Sequence, residues 1–384
     1  ESRGEFVNLN SGKQVARLLY EEMGLPVLKT TKGGAQATDK DALEMLRPEA
    51  EKLGGKAAEI FDLILKQRSA TKGIAMVSSY IKAAGPDGVI HPHINTNRAQ
   101  TGRESGENPN MQNISKDAAL KTKFPVPARR CFRARPGCIL FLVDYAGIEM
   151  RLIVEITKEP ELVELIKRNG DPHSLAASLF YGPIWADDAR AMSFTSAADP
   201  AKARKILRTA AKNGQFALAY GARLPKIAAV LMLPEDEAQP GFGAYCERFP
   251  RIAFFTDNQK RQVQSRGYVV TSFGRRLYVP KDKPYSGSNY VIQGTAAGIL
   301  KRAQVRVDKL LQDAAIGAGI LLPIHDELII EAPRSALPIA GELLPAIART
   351  MTTFDEIEVP LDVEWKMTTY TWDKAKGYEY AKTK

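Results

Sequence analysis

Apolar positions recur at helical spacing over Ser11 to Met23, Asp39 to Leu46, and Ala57 to Gln67 continuing to about Ala83. Turns rich in Gly, Pro and Lys separate them, so the first part of the chain predicts helices. The run CILFLVDY, Cys138 to Tyr145, is apolar and β-branched, the pattern of a buried strand, and a helix carrying Glu149 and Arg151 should follow it. Residues 160 to 266 repeat helical patterns. GAGILLPIHDELIIEAP (317 to 333) then sets two apolar runs about a His-Asp pair, which predicts a hairpin with charged residues at its turn. The stretch VPLDVEWKMTTYTWD is strand-like and aromatic. A mixed or antiparallel sheet with helical insertions, of α/β (α+β) class, is the expected fold, without an internal repeat.

One helix is sharply punctuated. Asp199 stands at an N-cap position, Pro200 in the first turn and Gly221 just past the end. Within it Arg208, Lys212, Phe216 and Tyr220 follow at i+4 steps, each about 40° round and about 6 Å along from the last. Two cations and two rings on one drifting stripe suit a nucleotide, with cations on phosphates and rings against sugar and base. An amphipathic helix that buries its rings while its basic end snorkels accounts for the same stripe. What separates the two is the absence of acid: Ala201 to Lys226 holds seven basic residues and no Asp or Glu.

Charge extends that contrast. The chain of 384 residues carries 54 Lys and Arg against 44 Asp and Glu, a net charge of +10, which favours a polyanionic partner. Asp326 to Glu364 reverses the sign, with nine acids against two arginines, and is expected to face solvent or metal. Length predicts two or three structural units. With 44% hydrophobic and 26% charged residues the composition is globular. No apolar run approaches the roughly 18 residues of a membrane span, and ESRGEFVNLN has no secretory pattern. No membrane partner and a cytoplasmic location are therefore expected. Cys131, Cys138 and Cys246 are too few for a disulfide framework and are expected to be small core residues. His91 and His93 lack a third ligand nearby and suit a strand end or turn better than a zinc pair. The chain does not begin with Met, which suggests processing or a fragment of a longer protein.

Asp144 ends an apolar strand and Asp326 sits at an apolar hairpin's turn, where a carboxylate asks for a cation. Hard oxygen ligands suit Mg²⁺, and a pair of such ions can activate an attacking oxygen and stabilise a leaving one. On spacing alone, two unrelated aspartates at strand ends are the preferred reading.

Three separated segments carry a specific resemblance. VDYAGIEMR (143 to 151), RTAAKNGQFALAYG (208 to 221) and IHDELIIE (324 to 331) resemble, in order, the first catalytic motif, the fingers helix and the second carboxylate motif of family A, polymerase I-like, DNA polymerases. TGRESGENPNMQNI (101 to 114), residues 6 to 38, GRRLYVP (274 to 280) and NYVIQGTAAGILKRA (289 to 303) extend the similarity over nearly the whole chain.

The resemblance implies a right-hand polymerase fold with a palm sheet, helical fingers and a partial helical thumb. Thumb and connection would occupy residues 1–92, the palm 93–159 and 285–384, and the fingers 160–284. It implies template-directed 5′–3′ addition of deoxynucleotides to a primer 3′-hydroxyl by two Mg²⁺ ions, with Mn²⁺ able to substitute, without proofreading in this chain. Asp144, Asp326 and the Tyr145 carbonyl would bind metal. Arg208, Lys212 and His173 would hold the triphosphate of a deoxynucleoside triphosphate, and Lys212 would protonate departing pyrophosphate. Phe216 would face the sugar, Tyr220 the template-base pocket, and Glu149 would exclude a 2′-hydroxyl. Arg103, Gln112, Asn113, Asn289, Gln293 and His325 would contact primer-template DNA, the last beside Glu327 as positioner, in a protein acting as a monomer.

Departures from the family pattern are equally specific. DYSQIELR reads DYAGIEMR, NFGLIYG reads QFALAYG, Gly214 lies inside a helix, and Tyr285 replaces a usual arginine. The first two resemble phage-borne branches more than bacterial repair enzymes. Residues 115–130 do not align cleanly and receive no role. A single-subunit RNA polymerase shares the aspartates and the cationic helix, but Glu149 and the HDE triplet favour DNA. A decayed primer-template-binding subunit is the other alternative, against which stand both aspartates, Arg208 and Lys212.

Overall fold

The computed structural model describes residues 7–31, 33–114 and 128–377. Of the unaligned stretch 115–130, all but Ala128, Arg129 and Arg130 lie outside them. The described residues form two compact units.

The first unit comprises the described residues of Glu1–Pro92, Asn113–Arg133 and Thr371–Asp373. Helix α1 (Gly12–Ala16) runs on through a π-helical turn, Arg17–Glu22, and is followed by α2 (Lys40–Leu53) and α3 (Gly55–Ala83). The caps are those the sequence signals: Ser11 accepts from Gln14 N–H, and Asp39 from Ala42 N–H at 2.9 Å. Gly54 and Gly55, at φ 64° and 50°, make the break between α2 and α3, a left-handed corner that glycine enters without strain. Leu19, Leu43, Leu46, Phe61 and Ile64 close the small core.

The second unit is organised around a five-stranded sheet of order β6-β7-β3-β8-β9, antiparallel throughout. A short hairpin, β1 (His93–Asn95) and β2 (Ser105–Glu107), precedes it in the chain. The central strand β3 is Cys138–Tyr145, the boundaries of the apolar run. It leads through Gly147, at φ 64°, into α4 (Ile148–Thr157). Eight further helices follow: α5 (Pro160–Lys167), α6 (Pro172–Tyr181), α7 (Pro183–Ala186), α8 (Asp188–Thr195), α9 (Pro200–Ala219), α10 (Leu224–Leu231), α11 (Glu235–Arg248) and α12 (Pro250–Arg266). A hairpin of β4 (Tyr268–Val270) and β5 (Arg276–Tyr278) leads to the long α13 (Gly287–Ala314). The β6 (Gly319–Ile324) and β7 (Glu327–Pro333) hairpin, α14 (Ala340–Thr352), β8 (Val363–Thr368) and β9 (Lys376–Gly377) complete it.

Alternation along β3 divides its side chains. Ile139, Phe141, Val143 and Tyr145 join the main core with Leu328 and Ile330 of β7. Asp144 lies on the other face, directly across from Glu327 on β7 and Glu364 on β8. The Tyr145 hydroxyl donates to Met351 O at 2.5 Å, which pins the strand's end to α14.

Two expectations need correction. Cys131 is exposed in a 3-10 turn, and Cys138 and Cys246 are half-buried, so none is a core residue. The acidic stretch does not simply face outward: Glu327 and Glu331 are 4% exposed. Glu331 is retained there because it binds Arg135 through both the backbone N–H and the guanidinium, at 2.9 and 2.5 Å.

Candidate active site

The two aspartates, 182 positions apart (326 − 144), meet through the backbone. Asp144 is the penultimate residue of β3, and the next residue's N–H, that of Tyr145, donates to the carbonyl of Asp326 at 3.1 Å. Asp326 occupies the two-residue turn between β6 and β7, with His325 at φ 56° before it. Such a positive φ is uncommon outside glycine and marks a turn held by its surroundings. Gln112 supplies part of the hold: its Nε2 donates to Pro323 O at 2.9 Å and its Oε1 accepts from His325 N–H at 3.2 Å.

A cleft of about 290 Å³ opens beside this turn. It is lined by Arg103, Gln112, Glu149, His325 and Asp326, five residues predicted separately from the sequence. Glu104 and Lys301 line it as well and were not anticipated. Lys301 had a signal, because Gln293, Ala297 and Lys301 follow at i+4 on α13 and Ala297 also lines the cleft. Burial, opposed by Glu104 and reinforced by Arg275, pushes the Lys301 ammonium down from its ordinary value. Asn289 and Gln293, both half-buried, continue the same helical face. Asn113 is exposed and falls in the first unit.

Glu149, in the first turn of α4, joins the cleft to the punctuated helix. Its Oε1 accepts from Arg103 Nη2 and its Oε2 from the Tyr220 hydroxyl, both at 2.8 Å. Burial and the Glu149 carboxylate together push the Tyr220 phenol well above its usual range, so it remains a donor. Tyr220 closes α9, with Gly221 at φ 90° after it, and its ring stacks on Phe216 at 6.4 Å.

Along the same stripe, Lys212 Nζ lies 5.7 Å from the centre of the Phe216 ring. The His173 ring meets Phe216 edge-on at 5.7 Å. The acid-free segment is not acid-free in space. Arg208 makes a bidentate pair with Asp171 (2.6 and 2.8 Å), Arg204 pairs with Asp188 and Arg223 with Asp257. Lys212 has no ion pair among the described residues. Burial works against Asp171 ionising, yet the Arg208 guanidinium, the Ser174 hydroxyl and the His173 N–H hold its carboxyl far below the usual range. Gly214 faces Leu231 and Phe180, whose atoms lie 3.4 and 3.5 Å from where a Cβ would stand. A Cβ there would meet ordinary van der Waals contact, so packing does not demand the glycine, which costs roughly 1 kcal/mol relative to alanine in a helix.

The model of DNA polymerase family A matches residues 1–374. The chain belongs to DNA polymerase family A. The chain is 32% identical over 378 residues to the thermostable DNA polymerase I of Thermus aquaticus, an alignment covering 94% of this chain and 41% of that protein. To DNA polymerase I of Pseudomonas aeruginosa it is 30% identical over 387 residues, covering 97% and 39%. It therefore spans about two-fifths of the length of these relatives. Among solved structures, the polymerase domain of Pol1 from M. smegmatis, in complex with DNA primer-template and dNTP, superposes with a TM-score of 0.81 at 29% identity. That match covers 97% of this chain and 62% of the other.

The donor set fits the divalent cations that family A enzymes use. Among the described residues no three His, Cys, Asp or Glu side chains form a cage. Two carboxylates beside a strand-end carbonyl nevertheless suit a hard cation that completes its shell with water and substrate phosphate, the habit of Mg²⁺.

Proposed function

We propose that this chain is a DNA-directed DNA polymerase that extends a primer 3′-hydroxyl with deoxynucleoside triphosphates on a DNA template. The observation that carries this is the Tyr145 N–H to Asp326 carbonyl hydrogen bond, which brings the strand end that holds Asp144 to the turn that holds Asp326, a residue lining the cleft. Asp144, Asp326 and the Tyr145 carbonyl would hold two Mg²⁺ ions, with Mn²⁺ an acceptable replacement. When bound, these ions would supply activation of the attacking hydroxyl and stabilisation of the leaving oxygen.

The protein's own groups do the rest. Arg208, aligned by Asp171, and Lys212 attract and orient the triphosphate, and Lys212, whose ammonium lies against the Phe216 ring, is assigned to deliver a proton to pyrophosphate. Phe216 supplies an apolar wall to the sugar. Glu149, clamped by Arg103 and Tyr220, occupies the space a 2′-hydroxyl would need. That clamp favours DNA over RNA synthesis. Asn289 and Gln293 on α13, with Arg103, Gln112, His325 and Asn113, are assigned to the primer-template, Gln112 also bracing the turn that carries Asp326 and Glu327 positioning it. The thumb would be residues 1–92, the palm 93–159 and 285–384, and the fingers 160–284.

Primer extension with Mg²⁺ tests the assignment, comparing deoxynucleotides with ribonucleotides on one template. Templated deoxynucleotide extension that Asp144→Ala and Asp326→Ala each abolish, with primer-template binding retained, is the expected result. Near-normal extension by either variant would overturn the metal assignment, and ribonucleotide preference would overturn the substrate.

A further inference from the structure

The polar contacts of His173 are specified beyond what a place beside two cations requires. The residue is 7% exposed, and its Nδ1 lies 2.6 Å from Gln215 Oε1. The orientation of the Gln215 amide follows from its other contacts. Its Nε2 is 3.2 Å from Pro172 O, which can only accept, and 3.1 Å from the Tyr245 hydroxyl. The amide nitrogen therefore faces those groups and the amide oxygen faces the imidazole. An amide oxygen only accepts, so Nδ1 carries the proton of the neutral ring. That leaves Nε2 with a lone pair, and a phosphate oxygen has nothing to donate to it.

We propose that Gln215 is a positioning residue that fixes His173 as the Nδ1–H tautomer, so that a triphosphate engages this ring only with uptake of one proton at Nε2. The proposal rests on the nucleotide-binding role assigned to His173 above.

The charges around the ring make the coupling directional. Asp171, the N-cap of the same helix, is occupied by Arg208; Arg208 and Lys212 face the ring from α9; the Tyr245 hydroxyl of α11 accepts from the Gln215 amide. In the free protein burial, with the two cations behind it, holds the imidazole below its ordinary value, against the pull of Gln215 and Asp171. A bound triphosphate reverses the local sign by neutralising the cations and adding its own negative charge. The ring is then more basic in the complex than in the free protein. By linkage, nucleotide affinity is highest at low pH and falls as pH rises through the value of the complex, by up to tenfold per pH unit for one proton.

Two measurements test this. The first is the ¹⁵N imidazole spectrum of the free protein, which has four histidines. The expected result is one Nδ1–H signature that disappears in His173→Gln and converts to Nε2–H in Gln215→Leu. The second is the pH dependence of deoxynucleotide affinity in single-turnover extension. A one-proton alkaline loss is expected in the parent, absent in His173→Gln and displaced to higher pH in Gln215→Glu, whose charge stabilises the imidazolium. An Nε2–H signature at His173, no alkaline loss in the parent, or a loss unmoved in His173→Gln would each overturn the proposal. Should Gln215→Glu fail to fold by thermal melt, the parent spectrum and His173→Gln still decide. Absence of any extension by the parent would sink the polymerase assignment instead, and the spectrum would still test the tautomer.

Discussion

Replacing Tyr220 by Phe removes one hydroxyl and leaves the ring stacked on Phe216, so the change is confined to the hydrogen bond with Glu149 Oε2. A hydrogen bond to a charged group contributes about 1.5 to 3 kcal/mol, and the carboxylate's circumstances select the lower end. Glu149 keeps Arg103 on its other oxygen, and its side chain is 26% exposed, so water can replace part of what is lost. At about 1.5 kcal/mol, the population of Glu149 held across the sugar edge falls by a factor of about 10. Ribonucleotide exclusion should then weaken by at most about tenfold, less than in Glu149→Ala, where the barrier itself is gone.

The assay is single-nucleotide incorporation, read as the ratio of kcat/KM for a deoxynucleotide to that for the matching ribonucleotide. Parent, Tyr220→Phe, Glu149→Ala and the double variant form a cycle. Tyr220→Phe should lower the ratio in the parent and have no further effect in the Glu149→Ala background. A ratio unchanged by Tyr220→Phe, while Glu149→Ala lowers it, would refute the clamp. An equal fall in both backgrounds would show that Tyr220 acts on the sugar independently of Glu149.

Four further outcomes are expected. Lys212→Ala should lower the single-turnover rate by about 10²- to 10⁴-fold, as loss of a general acid does, with a smaller effect on nucleotide affinity; an effect on affinity alone would leave only an electrostatic clamp. Phe216→Tyr should improve dideoxynucleotide use relative to deoxynucleotide by roughly 10- to 150-fold, because the new hydroxyl replaces a missing hydrogen bond to a charged phosphate, and an unchanged ratio would move Phe216 away from the sugar. The depressed carboxyl of Asp171 makes its pair with Arg208 a contribution that is complete above the ordinary carboxylate range and lost as pH falls below it. With both side chains more than a third exposed it amounts to about 1 kcal/mol or less, so Asp171→Asn should flatten the acid limb of Tm slightly, and an unaltered limb would discount the pair. Mg²⁺ should raise the Tm of the parent and leave that of Asp144→Asn nearly unmoved; equal responses would place the cation elsewhere.

Local signals in the sequence specified local structure closely. The run Cys138 to Tyr145 is a strand of those bounds because its first six residues, Cys138 to Val143, are all apolar and leave no polar face for a helix to show. The cap at Asp199 and the left-handed Gly221 bracket the helix that carries Arg208 to Tyr220, since both act within one turn of the chain. Relations across space were not legible in that way. Nothing local to Ala201–Lys226 announces that Asp171, Asp188 and Asp257 come from other helices to meet its arginines. The cleft's Glu104 was missed because a lone charge on a loop has no periodicity of its own, whereas Lys301 continues the i+4 series of Gln293 and Ala297. Gln215 read as a departure from a familiar motif, and only its three partners show what the longer side chain reaches.

The adjacency of Asp144 and Asp326 rests on register, which explains how a site so dependent on distance is built from distant segments. A slip of one residue between β3 and β7 would turn Asp144 into the core face that Phe141 and Val143 now occupy, and those side chains out of it. The packing of Ile139, Phe141, Val143 and Tyr145 into the main core therefore helps to fix the carboxylate's place on the opposite face. The same register sets Asp144 between Glu327 and Glu364 on neighbouring strands, and like charges directly opposite one another oppose sheet formation. The buried face thus holds together a row of acids that the sheet would not otherwise favour. A cation held by Asp144 and Asp326, as proposed above, would relieve that repulsion, so Mg²⁺ should stabilise this end of the sheet as well as the turn.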